Sequence, residues 1–124
     1  MKSYKDLEIY NEAFRLALAV HVMTQKLAKA EHYELGSQVR RAAQSVRSNI
    51  VEGYGRREYK NEFIRYLIFA RASLLETGSH LEMSRSLYEN IEIAGLIEDY
   101  NLPGKKLAAF IHYVESSWMT PHDK

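Results

Sequence analysis

Residues Gln38–Phe63 read "QVRRAAQSVRSNIVEGYGRREYKNEF", with six basic side chains against three glutamates. That charge would suit a solvated surface, yet Leu35, Val39, Ala42, Val46 and Ile50 recur at spacings of 4-3-4-4. This is the stripe of a helix with one face in a core. The spacing predicts a helix over 35–53, with Gly53 and Gly55 as its C-terminal stop. Arg40 and Arg47, seven residues apart, share one face of it, Arg41 lies on another, and all three lie off the apolar stripe. The arginines are therefore open to phosphate, to acids of a neighbouring subunit, or to solvent.

Outward from this stretch the period stays helical, and no run alternates at period two for long enough to make a strand. A first helix is expected over 6–28. Leu7, Tyr10, Phe14, Ala17 and His21 form one of its stripes, and Ile9, Leu16, Val20 and Leu27 a second, which implies two packing partners. A third helix is expected over 59–88, with Phe63, Leu67, Ala70, Leu74, Leu81 and Tyr88 as its seam. Ile64, Ile68 and Leu75 lie well around the wheel from that seam, and Phe69 on a further side. This surplus apolar surface predicts self-association, with Ile64, Ile68 and Phe69 as candidate interface residues. A last helix is expected over 91–118, broken or kinked at Pro103–Gly104, with "KKLAAFIHYVESSW" its best-formed part. Four helices with short connections predict an all-α, antiparallel up-down-up-down four-helix bundle in one domain, residues 1–124.

The chain has 124 residues and a net charge of +1, so overall charge points to no partner. Its distribution is uneven. Residues 36–72 hold eight basic residues against three acids, and 76–100 hold six acids against Arg85 alone. Such separation presents a basic face to an anion, or pairs two halves within or between subunits. The absence of cysteine excludes disulfides and thiolate zinc sites and fits a reducing compartment. No export signal is legible in "MKSYKDLEIYNEAF" and no apolar run approaches a membrane span, so a cytoplasmic protein with no membrane partner is expected.

Catalysis finds little support. His21, His32, His80, His112 and His122 include no Glu-x-x-His element, and Glu76 with His80 supplies only two ligands, so neither metal nor other cofactor is expected. No nucleophile elbow and no phosphate-binding glycine loop occurs. His21, on an apolar stripe, reads as a hydrogen-bonded core histidine. Tyr54 and Tyr59 interleave with Arg56, Arg57 and Lys60, a mixture suited to stacking bases and neutralising phosphates, and equally to a protein interface. Asn49, at the edge of the stripe, is expected to bond backbone in the adjoining connection, and Glu52 to pair with an arginine.

The segment "QVRRAAQSVRSNIVEGYGRREYKNEFIRYL" resembles the signature of the 23S rRNA intervening-sequence proteins, approximately Q-x-R-R-A-A-x-S-[IV]-x-x-N-I-x-E-G-x-G-R. The likeness extends from "YKDLEIYNEAFRLALAVH" through "FARASLLET" towards the last helix, where "NLPGKK" departs from the usual continuous, more acidic pattern. The resemblance implies a four-helix bundle assembled as a ring-shaped homo-oligomer, five-fold, with no catalytic residues. It also implies a structural role for Arg41, Asn49, Glu52, Gly53, Gly55 and Arg56. Some members look to be encoded within intervening sequences of the large ribosomal RNA gene, and more distant relatives act as nucleic-acid-binding subunits of diversity-generating retroelements.

The expected function is that of a non-enzymatic oligomer that binds RNA or DNA weakly through backbone phosphates. Arg40, Arg47, Arg57 and Lys60 are the candidate contacts. The alternative is a protein-interaction scaffold whose arginines pair with acids such as Glu82 or Glu89 across subunits.

Overall fold

The computed structural model describes residues 2–89 and 91–121. Its elements are a 3-10 turn, Tyr4–Asp6, and helices α1 (Glu8–Thr24), α2 (Lys29–Tyr33), α3 (Leu35–Gly55), α4 (Lys60–Leu87) and α5 (Ala94–Ser117). The four long helices form a closed set of neighbours, with α3 between α1 and α4, and α5 completing the circuit from α4 back to α1. Consecutive long helices joined by short connections run antiparallel, so the architecture is the expected all-α four-helix bundle. The core is built from Ala13, Leu16 and Val20 of α1, Val39, Ala43, Val46 and Ile50 of α3, the Phe63–Leu81 seam of α4, and Leu107, Ile111 and Val114 of α5.

The first helix is shorter than its sequence period suggests. Ser3 caps the 3-10 turn through Lys5 N, while the Asp6 carboxylate accepts from the N–H groups of Ser3 and Lys2, so α1 proper starts at Glu8. At the other end the chain tightens through bonds from Gln25, Lys26 and Leu27 to the carbonyls three residues back, and turns into the one-and-a-half-turn α2. Leu27 still reaches the core. The two stripes of α1 pack on α3 and α5, but their outer members do not follow them. Phe14 is 42% exposed, and His21 is a surface residue bonded to Gln25 rather than a core histidine. Both lie one turn beyond Tyr10 and Ala17, and each turn of four residues carries the position about 40° around the wheel, away from the core.

Helix α3 overturns the reading of its glycines. Gly53 and Gly55 are both helical and neither has a positive φ, so neither terminates the helix by a left-handed turn. The end falls at Arg56, φ −109° and ψ 16°. Gly53 serves close approach instead. A Cβ there would lie 3.0 Å from Tyr66 Cβ and 3.3 Å from Phe63 Cδ1, so the lack of a side chain lets α3 and α4 touch.

Of the break or kink expected at Pro103–Gly104, the break is absent, and α5 runs from Ala94 to Ser117. Proline forfeits one bond to the Asp99 carbonyl, but packing holds the helix on both sides of it. Tyr100 lies over Gly78 of α4, Pro103 itself is buried, and Leu107 and Ile111 enter the core one and two turns later. Within α4, the core hydroxyls of Thr77 and Ser84 are satisfied by the carbonyls of Ser73 and His80.

Candidate nucleic-acid interface

The flanks of α3 divide the polar residues of its sequence into three sets. On the flank facing α4, Asn49 Nδ2 donates to the Ser45 carbonyl at 2.9 Å and to Ser45 Oγ at 3.1 Å, and Ser45 Oγ meets Ser73 Oγ of α4 at 2.8 Å. Asn49 therefore binds one turn back along its own helix, not the following connection. Its sequence neighbours explain this: Ser45 lies at i−4 on the same flank, within reach of a short amide. One turn further on, Arg56 donates to Glu52 Oε2 at 2.7 Å and lies over the Tyr66 ring at 4.4 Å. The bonded Glu52 carboxylate raises the Arg56 pKa above the ordinary arginine value.

On the flank facing α1, Arg40 is drawn inside the fold. Its guanidinium donates to Thr24 Oγ1 at 2.9 Å and to the His32 carbonyl at 3.2 Å, while His32 Nδ1 donates to the Thr24 carbonyl at 2.9 Å. These bonds tie α3 to the α1–α2 corner, and a guanidinium so committed is a poor choice for an incoming phosphate. Arg47, on the same flank and half-buried, donates to Gln44 Oε1 at 2.8 and 3.1 Å. Between the flanks, Arg41 is exposed and makes no hydrogen bond or ion pair among the described residues.

The turn between α3 and α4 gathers aromatic and basic groups. Arg57 lies over the Tyr54 ring at 4.1 Å, donates to the Tyr54 carbonyl at 3.0 Å, and receives the Trp118 indole N–H on its own carbonyl at 3.2 Å. Trp118 in turn meets the Phe63 ring edge-on at 5.1 Å. Tyr54 is buried and covered by Arg57, so its face is closed to base stacking, whereas Tyr59 is 59% exposed. Lys60 opens α4 and is half-buried. Arg47 lies eight residues, about 12 Å along the helix, before the end of α3. Arg47 and the Arg57–Lys60 pair are thus two separate positions on the molecule.

Of the candidate interface residues, Ile68 and Phe69 are each 40% exposed, while Ile64 packs partly against the core. Phe69 lies with Tyr66 and Arg65 on the α3 side of α4, and Leu75 lies towards α5, with Ile68 two turns before it on the same face. Sequence reading missed a second exposed row, Phe14, Leu18 and Val22 on α1, spaced one turn apart at 42, 54 and 55% exposure. Its signal was present in that i, i+4, i+8 spacing. Among the described residues no three His, Asp or Glu side chains converge as a metal site, and His80 pairs only with Glu76, at 3.3 Å. His122 lies outside the described residues. No described helix is long and apolar enough to cross a membrane.

A sequence profile described as 23S rRNA-intervening sequence protein matches residues 5–108. The chain belongs to this family. The match runs from the turn before α1 to the middle of α5 and includes the "NLPGKK" segment. No curated protein matches the chain. In this intervening-sequence protein the signature positions Ser45, Asn49, Gly53 and Arg56 all face α4, so that part of the signature specifies how two helices meet.

Proposed function

We propose that the protein is a non-enzymatic, cytoplasmic homo-oligomer that binds RNA or DNA weakly through backbone phosphates, without base preference. One observation carries the reading: the charge separation seen in the sequence survives folding. Ion pairs among the described residues are almost all between helical neighbours, such as Arg56–Glu52, Arg65–Glu62 and Arg85–Glu82; only Lys106, with Glu8 and Glu12, joins two elements. No basic residue of 36–72 pairs with an acid of 76–100 among the described residues. The basic half, α3 with the start of α4, forms one edge of the bundle and keeps its excess for a partner.

The exposed row on α1 and the pair Ile68 and Leu75 on α4 support assembly. They lie on different helices, and joining unlike surfaces head to tail closes a ring when the rotation permits. Five-fold closure is what the resemblance implies.

The test replaces Arg47, Arg57 and Lys60 together by Ala, with light scattering before binding. The parent should scatter as an oligomer near five times 14.4 kDa. Its affinity for a single-stranded oligonucleotide should fall linearly in log K against log salt, and each lost contact should reduce that slope by roughly 0.7 to 0.9. A monomeric parent refutes the ring. Intact triple-substituted oligomers with the parent slope exclude these three residues, and oligomers that fall apart favour the scaffold alternative.

A further inference from the structure

Outside α3, between its first half and the last turn of α1, lies an open recess of about 470 Å³ walled by Ser37, Arg40, Arg41, Gln44, Ser48 and His21. Its lining is unusual for this surface, because every wall residue can donate a hydrogen bond and none is acidic or apolar. The grooves beside α5 contrast with it: they carry Glu12, Glu98 and Asp99, or Leu74, Leu75 and Ala108.

We infer that this recess binds a single phosphate group, and that in the nucleic-acid reading above it seats one backbone phosphate, with Arg41 as the principal contact. Arg41 suits the role because its guanidinium is exposed and has no hydrogen bond or ion pair among the described residues, so binding breaks nothing. Arg40 supplies positive charge from the recess wall while its donors hold Thr24 and His32. The neighbouring Arg47 acts through Gln44. By holding Gln44 Oε1 at 2.8 Å it occupies the accepting end of the amide and leaves the two N–H donors for an anion. Ser48 Oγ donates to the Gln44 carbonyl at 3.0 Å, so its lone pairs remain for water or a protonated phosphate oxygen. The planar fork of Arg41 matches two phosphate oxygens, and the absence of carboxylates spares a dianion any repulsion from the walls.

Two measurements test this. Inorganic phosphate is titrated into the oligomer while the arginine Nε–Hε resonances are followed by NMR. A saturable shift is expected for Arg41, with smaller ones for Arg40 and Arg47. No saturable shift, or equal shifts at the distant Arg15 and Arg85, overturns the site. In the second, Arg41→Gln is expected to lower the oligonucleotide salt slope by roughly 0.7 to 0.9, and Arg41→Lys to restore most of it. An Arg41→Gln oligomer with the parent slope shows that the recess does not carry the backbone contact. A parent that binds no oligonucleotide refutes the nucleic-acid reading by itself, and the phosphate titration still decides the recess.

Discussion

Replacing Gly53 and Gly55 separately by Ala tests the packing of α3 on α4, because the same chemical change falls on two helical glycines with opposite surroundings. Both have helical backbone without positive φ, so alanine is sterically allowed by the chain itself and reduces the freedom of the unfolded state. At Gly55 a new Cβ meets nothing within 4 Å. Its helix-propensity gain, about 1 kcal/mol in a helix interior and nearer half that in a last turn, should appear as stabilisation. At Gly53 the Cβ would lie 3.0 Å from Tyr66 Cβ and 3.4 Å from the Phe63 carbonyl oxygen. Neither atom can rotate away, because one is the first side-chain atom and the other is backbone of α4. The helices must separate by several tenths of an ångström, along a seam that also holds the Ser45–Ser73 bond. Overpacking of this kind costs about 1–3 kcal/mol, more than the propensity gain offsets. The expected net effects are a loss of about 1–2 kcal/mol for Gly53→Ala and a gain of about 0.5 kcal/mol for Gly55→Ala. Urea unfolding at one fixed protein concentration reads both, since an oligomer's stability depends on concentration. If Gly53→Ala proves as stable as Gly55→Ala, close approach is not what the glycine provides.

Asn49→Ala should cost no more than about 1 kcal/mol in the same urea assay, because the Ser45 carbonyl keeps its helical bond and Ser45 Oγ keeps Ser73; the alanine's helix propensity offsets part of the lost amide bonds. A loss above about 3 kcal/mol would mean that Asn49 satisfies something beyond Ser45. Asp6 gives the pH dependence: bonds from the Lys2 and Ser3 N–H groups hold its carboxyl below the ordinary aspartate value. A depressed folded pKa contributes stability that is present above the unfolded value, about 3.9, and is lost as the pH falls through the folded one. The protection factors of the amides in the Tyr4–Asp6 turn, each exchange rate taken relative to the unprotected rate at the same pH, should therefore fall on acidification below that range in the parent, and be low and flat with pH in Asp6→Ala.

The sequence made the four long helices, the α3 and α4 boundaries and the α4 seam legible, because those follow from periodicity within one segment. What it hid depended on distant atoms. A glycine pair near a helix end reads as a stop, and only the arrival of Tyr66 against Gly53 turns it into a packing notch. Pro103 reads as a break, and packing around Tyr100, Leu107 and Ile111 overrides one lost hydrogen bond. The reverse holds after Thr24, where no glycine or proline announces the end of α1, and bonds from His32 and Arg40 brace the corner. Arg40 shares a wheel position with Arg47, so the sequence groups the two, although the fold commits the donors of Arg40. Its partner Thr24 is sixteen residues upstream, beyond the reach of any local pattern.

The fate of each arginine in 38–63 follows from its angle on α3 and from what the fold brings to that angle. Towards α4, Arg56 meets Tyr66 of that helix and Glu52 one turn back on α3, and is held by both. Towards α1 the chain has just turned a corner and exposes carbonyls, so Arg40 is absorbed by His32 and Thr24. A guanidinium has five donors in a fixed fork, and these positions use that geometry rather than only its charge. On the outward face no element arrives. There Arg41 keeps all its donors, while on the α1 flank Arg47 spends two on a neutral amide, which leaves its charge uncompensated. Arginines that order the fold and arginines whose charge is uncommitted therefore lie within about four and a half turns of one another, from Arg40 on α3 to its cap Arg56. Mutating the stretch as a block would disturb the bundle together with the proposed binding, so only single positions, chosen by flank, can separate the two.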